Sequence, residues 1–342
     1  MFDKKFLRQV LDSIVEDRPT KNSRILIIDS MNTFIRNFSS INSLNPAGHH
    51  IGGLVGYLRS IGYAIKSFRP TRVILVFDGQ GSTTNKKNLY PEYKGNRSIS
   101  RITNWNIFDD KQEESEAMIN QMTRLIQYLK QLPVSLVSVD KIEADDSIGF
   151  IANYYAKDEE CRTVTIMSAD KDFYQLISDK IHVYSPIKKK TYKINDVIDE
   201  FGVHPSNFLI YKTLLGDNSD NLPGVRGLGP KKIIKLFPLN NSHEYDLNKI
   251  YKISEDNLNE SSMYRSILES KHQLNINYQL MNIREPNISE NDKEDIINIL
   301  NEEITHLNVG GFMMLYESDG LNNSIPNTHS WLSDIFGSLI LK

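Results

Sequence analysis

Cysteine is almost absent: the 342 residues contain one, Cys161. That excludes an internal disulfide and a cysteine-built zinc cluster. Long apolar runs are also missing, and none approaches the roughly 18 residues of a membrane span. The first residues, MFDKKFLRQVLDSIVEDRP, hold no signal-peptide core and read as a short amphipathic helix ended near Pro19. Nor is there an excess of positive charge. Lys and Arg total 40 against 43 Asp and Glu, a net charge of −3, which taken as an average argues against a nucleic-acid binder. The eight histidines are scattered. His49 and His50 are adjacent, cannot share a helix face, and read as non-catalytic. The expectation is a soluble, cytoplasmic protein of a reducing compartment, long enough for one large core or two domains.

What is present is segregated. Basic clusters lie at Lys86/Lys87, Lys94/Arg97/Arg101, Lys188–Lys190 and Lys231/Lys232/Lys235, while acids thicken at 109–116, 143–146 and in the C-terminal third. Such clusters by themselves describe a solvated mixed surface. The motifs beside them point further.

Four segments read as buried strands: RILIID (24–29), RVILVFD (72–78), PVSLVSV (133–139) and RTVTIMS (162–168). They are short, β-branched and continuous, as in a parallel sheet covered on both faces. Helical patterns at about 51–68, 112–131 and 144–156 alternate with them, which predicts an α/β fold. Residues 79–110, beginning GQGSTTNKKNLYPEYKGNR, break that rhythm: polar, basic and aromatic without a period, they read as a functional insertion. Beyond about 200 no further strands are expected, only short helices around a Gly-rich turn.

Each strand ends in acid: Asp29, then Asp78, then Glu143, Asp145 and Asp146, then Asp170 and Asp172. Singly these are caps and turn residues. Jointly they converge, because the ligand crevice of an open α/β sheet lies at the carboxyl ends of its strands. Carboxylates packed so closely raise one another's pKa unless a cation sits among them. An all-oxygen set predicts a hard cation such as Mg2+. Two such ions about 4 Å apart can activate water and stabilise the leaving oxygen of a phosphodiester. A second constellation, GDNSDNLPGVRGLGPKK (216–232), adds Asp217 and Asp220 to Gly224, Gly227 and Gly229. Pro230 follows the last glycine, so this is not a Walker A loop. It looks like a helix–hairpin–helix turn, whose backbone N–H groups approach a phosphate beside Lys231 and Lys232.

Together IID (27–29), VFDG (76–79), YKGNR (93–97), IEADD (142–146), SADKDFYQL (168–176) and the 216–232 turn resemble the 5′-nuclease superfamily: flap endonucleases, the 5′-nuclease domain of bacterial DNA polymerase I and phage 5′-exonucleases. TNWN (103–106), YSPIKKKTYKI (184–194) and the length look most like the T-even-type phage ribonuclease H, while the 216–232 turn is nearer the polymerase-type relatives. The resemblance implies a PIN-like α/β domain over 1–200 with an arch insertion at about 79–115, then a helical helix–three-turn–helix module and C-terminal extension over 201–342. It implies a metal cluster of Asp29, Asp78, Glu143, Asp145, Asp146, Asp170, Asp172, Asp217 and Asp220. The first of two Mg2+ ions, replaceable by Mn2+, would draw on Asp78, Glu143, Asp145 and Asp170, and the second on Asp172, Asp217 and Asp220. A K+ ion is expected at the helix–hairpin–helix turn.

Lys94 and Arg97 would hold the scissile phosphate, with Tyr90, Tyr93 or Trp105 stacking unpaired bases. The implied activity is 5′→3′ exonuclease and flap endonuclease on RNA–DNA hybrid and duplex DNA, removing RNA primers from lagging-strand fragments during phage replication. A monomer is expected, with a single-strand-binding protein and a sliding clamp as partners. Three alternatives stand beside this: a PIN-type ribonuclease of single-stranded RNA, disfavoured by the duplex-binding turn; a non-catalytic structure-specific DNA binder, which would lack a strand-end acid; and a doubly wound phosphatase, whose DxD nucleophile Asp29-Ser-Met does not provide.

Overall fold

The structure, a computed structural model, describes residues 20–98, 102–304, 306–321 and 324–339. The helix expected before Pro19, Arg101, and the side chain of Arg97 lie outside the described residues.

A six-stranded sheet forms the centre, in the order β3-β2-β1-β4-β5-β6. Its strands are β1 (Arg24–Asp29), β2 (Arg72–Val76), β3 (Ser135–Val137), β4 (Thr163–Met167), β5 (Ile181–Ser185) and β6 (Lys190–Tyr192). The first five are parallel and β6 returns antiparallel. The four expected strands are all present, and β5 and β6 are two more. Their signal is weak because β6 is a three-residue edge strand carrying lysine, where charge blunts the open edge. Among the described residues after 200 there is one further pair, the two-residue strands β7 (Gly216–Asp217) and β8 (Leu222–Pro223).

Fourteen described helices surround the sheet: α1 (Ser30–Ser40), α2 (Gly52–Phe68), α3 (Thr84–Leu89), α4 (Lys111–Leu129), α5 (Ala144–Ala156), α6 (Ile194–Phe201), α7 (Phe208–Leu215), α8 (Pro230–Leu236), α9 (Leu247–Asp256), α10 (Ser262–Glu269), α11 (Lys271–Met281), α12 (Glu290–Asn301), α13 (Val309–Ser318) and α14 (Thr328–Phe336).

Side chains alternate along β1, so the sheet feeds two cores. Ile25 and Ile27 face a core built with α5 and the helices after 200, through residues such as Ile148, Phe208, Leu214 and Ile233. Leu26 and Ile28 face a core built with α1, α2 and α4. That second core also takes Phe312, Tyr316, Leu332 and Phe336 from α13 and α14. The Tyr128 and Phe312 rings meet at 4.9 Å, and Asp319 is bound by Arg124 at 2.8 Å and by the Tyr128 hydroxyl at 2.8 Å. The C-terminal extension expected within 201–342 thus packs as part of the sheet domain. Its last two helices leave the module and complete the core of the sheet domain, because the apolar faces of α2 and α4 need covering.

The order of the strands places the crevice. The chain winds outward from β1 to β2 and β3, then crosses to put β4 on the opposite flank. The reversal falls between β1 and β4, and ligands of such sheets bind at the carboxyl ends there.

Candidate metal centre and nucleic-acid interface

The switch point carries Asp29 and Asp170. Asp29 ends β1 and caps α1, accepting from the Asn32 N–H at 3.1 Å and from the Ser168 hydroxyl at 2.8 Å. Burial pushes its carboxyl up to about 6, with the charges of Asp170 and Asp78 adding to the rise. Asp170, two residues beyond Ser168, donates its N–H to that hydroxyl at 3.0 Å and accepts from the Asp172 N–H at 2.8 Å. Exposed Asp78 follows β2 and caps the first turn of α5, accepting from the Ala144 N–H at 2.9 Å. Asp145, in that first turn, is pushed well above the usual carboxylate range by burial and by the charges of Asp170 and Asp29. Burial and Asp170 likewise push Asp172 up to about 7, against the pull of Lys212. Asp170 is thus the hub whose charge Asp29, Asp145 and Asp172 all feel.

Two ion-pair groups flank this hub. On one side Lys86 of α3 reaches Glu143 at 2.9 Å and Asp146 at 3.0 Å, and Lys94 reaches Glu143 at 2.5 Å. Burial opposes ionisation of Glu143, but the two ammonium groups outweigh it and hold the carboxyl below its ordinary value. Burial wins at Asp146, which stays raised despite Lys86. On the other side Lys212 of α7 bridges Asp172 at 2.7 Å and Asp217 at 2.6 Å. Burial works against the Asp217 charge; bonds from Lys212 and Ser219 prevail and hold its pKa near 2.

Tyr93 joins the two sides. It is 2% exposed, and its hydroxyl is shared between Glu143 at 3.0 Å and Asp220 at 3.3 Å. The foot of the insertion is clasped to the β7–β8 turn by three further bonds: Lys94 N–H to the Asp220 carbonyl at 2.9 Å, Asn96 to the Asn218 carbonyl at 2.6 Å and Asn221 to the Glu92 carbonyl at 2.9 Å. Buried, this ring is not available to stack a base, which corrects one of the three aromatic candidates. Of the others, Trp105 is 69% exposed, and Tyr90 is half-buried with its hydroxyl on Glu92 at 3.2 Å.

The hairpin that carries Asp217 and Asp220 depends on glycine. Gly216 has φ +78°, and a Cβ there would stand 2.2 Å from the Gly224 nitrogen; one at Gly224 would stand 2.1 Å from the Leu215 carbonyl. Gly227 also has φ +78°, while Gly229 borders open space. α8 follows with Lys231 and Lys232 exposed, and Lys232 folds back onto the Gly227 carbonyl at 2.8 Å.

The nine acids are therefore linked to one another by ion pairs, hydrogen bonds and mutual charge. Among the described residues, no three acidic, histidine or cysteine side chains are gathered closely enough to hold a metal ion as they stand. The donor set is nonetheless all oxygen, which fits a hard divalent cation, and three ammonium groups lie among the donors. Two residues went unread in the sequence. Lys212 carries the one charge in the α7 run FLIYKTLL, and that isolation in an apolar helix was its signal. Arg36 of α1 has Nε and Nη2 buried without a hydrogen-bond partner; nothing in its local sequence marks it.

Comparison with known proteins identifies the family and the fold. Residues 24–202 match the family model of the 5′-3′ exonuclease N-terminal resolvase-like domain, and residues 203–298 that of the 5′-3′ exonuclease C-terminal SAM fold. The chain is 30% identical over 225 residues to a 5′-3′ exonuclease of Bacillus subtilis, covering 63% of this chain and 70% of that one. It is 29% identical over 297 residues to the 5′-3′ exonuclease of Buchnera aphidicola subsp. Schizaphis graminum, covering 84% and 92%. In fold it is similar to the T5 5′-exonuclease solved with bound zinc, with TM-score 0.62, 20% identity, and 88% and 100% of the two chains covered. It is also similar to a bacteriophage T5 flap endonuclease solved with DNA and metal ions, with TM-score 0.61, 19% identity, and 86% and 99% covered. The helices α13 and α14 lie beyond both family models.

Proposed function

The chain belongs to the 5′-3′ exonuclease family, and we propose that it is a divalent-metal-dependent nuclease that removes 5′ ends and 5′ flaps from duplex DNA and RNA–DNA hybrids. The observation that carries this is the convergence of strand-end and hairpin carboxylates on one switch-point crevice, beneath an insertion whose foot is bonded to the hairpin. Asp78, Glu143, Asp145 and Asp170 would hold one ion and Asp172, Asp217 and Asp220 a second, with Asp29 and Asp146 acting through water. Mg2+ or Mn2+, if bound there, would supply a Lewis acid for the phosphodiester and a lowered pKa for the attacking water.

The chain's own residues do the rest. Lys94 and Arg97 take the scissile phosphate. The exposed ring of Trp105 suits stacking on an unpaired base. Gly224, Gly227, Gly229, Lys231 and Lys232 hold the duplex backbone without reading sequence, so binding is salt-sensitive; a K+ ion at that turn belongs to the same proposal. Removal of RNA primers from lagging-strand fragments during phage replication, by a monomer in the host cytoplasm working with a single-strand-binding protein and a sliding clamp, is the role this chemistry suits.

A duplex with a 5′-labelled RNA–DNA strand, and a matching flap, test the proposal. Label release as short 5′ products in Mg2+, lost in EDTA and in Asp170→Asn, is the expected result. Binding without cleavage in any divalent metal would replace it with a non-catalytic role.

A further inference from the structure

Lys212 is the feature least expected at a metal centre. Its ammonium lies 2.7 Å from Asp172 Oδ1 and 2.6 Å from Asp217 Oδ2, and its side chain is 14% exposed. Asp172 opens the 3-10 helix Asp172–Leu176 that follows β4, Asp217 comes from the β7–β8 hairpin, and Lys212 from α7, so three separate elements bring these groups together. The lysine does for this pair what a cation would do: it neutralises two facing carboxylates in a poorly solvated place, where leaving them unpaired is costly. It also occupies the same oxygens. An ammonium this close cannot remain while a divalent ion takes those oxygens, since the two cations would stand within a few ångströms of each other.

We propose that Lys212 is a displaceable internal counter-ion. It holds the Asp172–Asp217 pair together in the metal-free protein, is expelled when a divalent cation enters, and thereby weakens metal affinity on the hairpin side of the crevice. The inference rests on the metal-dependent reading of that crevice. It differs from a phosphate-binding role in its sign, because removing a competitor tightens metal binding, whereas removing a phosphate contact leaves metal binding unchanged.

The test is calorimetric titration of Mg2+ and Mn2+ into the full-length wild-type protein, Lys212→Met and Lys212→Arg without nucleic acid, with thermal melts in EDTA and in saturating metal. Lys212→Met is expected to bind metal about tenfold more tightly, to melt lower in EDTA, and to recover in metal. Lys212→Arg keeps a cation in place and stays within about threefold of wild type. Equal or weaker binding by Lys212→Met overturns the inference. Failure of the wild type to bind either metal overturns the metal reading instead.

Should Lys212→Met not fold, the wild-type protein still decides. The side-chain 15N signal of Lys212, assigned with Lys212→Arg, is expected to be protected from exchange in EDTA and lost on adding Mg2+. A signal unchanged by bound metal overturns the inference.

Discussion

The two sides of the crevice hold similar acids by different means. On the sheet side, Asp29, Asp78 and Asp170 are fixed by strand ends, helix caps and the Ser168 hydroxyl, groups already rigid in the sheet domain. On the hairpin side, Asp217 and Asp220 ride on a two-residue strand pair that only glycine allows, and they are held by Ser219, Lys212 and Tyr93. The difference teaches that half of the centre is built into the fold and the other half is assembled by tertiary contact. The hairpin half is the one a ligand can most easily rearrange, because a turn has few buried contacts to resist it.

Asp170→Asn strikes the sheet-side hub and should have the largest effect. Loss of a ligand worth several kcal/mol to the transition state predicts a drop in cleavage of about 1,000-fold. The melting temperature should rise slightly, because three neighbouring carboxyls lose a like charge. Single-turnover kinetics and calorimetry check both parts; normal cleavage would sink the assignment.

Gly216→Ala confines the damage to the hairpin. An alanine at φ +78° and against the Gly224 backbone should cost about 2–3 kcal/mol and weaken metal binding without disturbing the sheet acids. A denaturant melt with a metal titration reads this, and an unaltered melt would mean that the hairpin is not under that constraint.

Tyr93→Phe cuts the bridge between the sides. Loss of a hydroxyl shared by buried Glu143 and half-buried Asp220 predicts about 1–2 kcal/mol, read as roughly a tenfold loss in kcat/KM on a flap substrate. If the rate is unchanged, the two halves do not depend on that hydroxyl.

The smallest effect concerns neither side but the return of the insertion. Buried Glu114 accepts from the Thr103 N–H and hydroxyl at 2.7 Å, from the Asn104 N–H at 2.8 Å and from Lys111 at 2.6 Å. Burial opposes its charge, but these bonds hold its pKa near 2, below the ordinary 4.5. A depressed carboxyl stabilises the fold above its unfolded value. That contribution is fully present above pH 4.5 and disappears as pH falls toward 2. Glu114→Gln should flatten the stability profile in that window and leave cleavage near pH 7 within about threefold. Parallel acid-unfolding curves for the two proteins would refute it.

The sheet side was largely legible in sequence and the hairpin side only partly. The strand ends announce Asp29, Asp78, Asp145 and Asp170 because continuous β-branched runs followed by acid have few other uses. Asp217 and Asp220 were found through a motif, yet what holds them was not visible. Lys212 is a single charge in an apolar helix, and Tyr93 looked like a ring for stacking until burial left only its hydroxyl in the crevice. Likewise β6 was missed, its charges being those of an edge strand rather than a loop.

By itself the sequence determined the alternation of strands and helices, the acid at each strand end and the glycines of the turn, since these follow from local periodicity and backbone freedom. Only the tertiary structure decided that β4 crosses to the far flank of β1, that α13 and α14 return to cover the sheet, and that Lys212 lies between Asp172 and Asp217. Those outcomes depend on which surfaces pack against one another across long stretches of chain, and no local pattern encodes that.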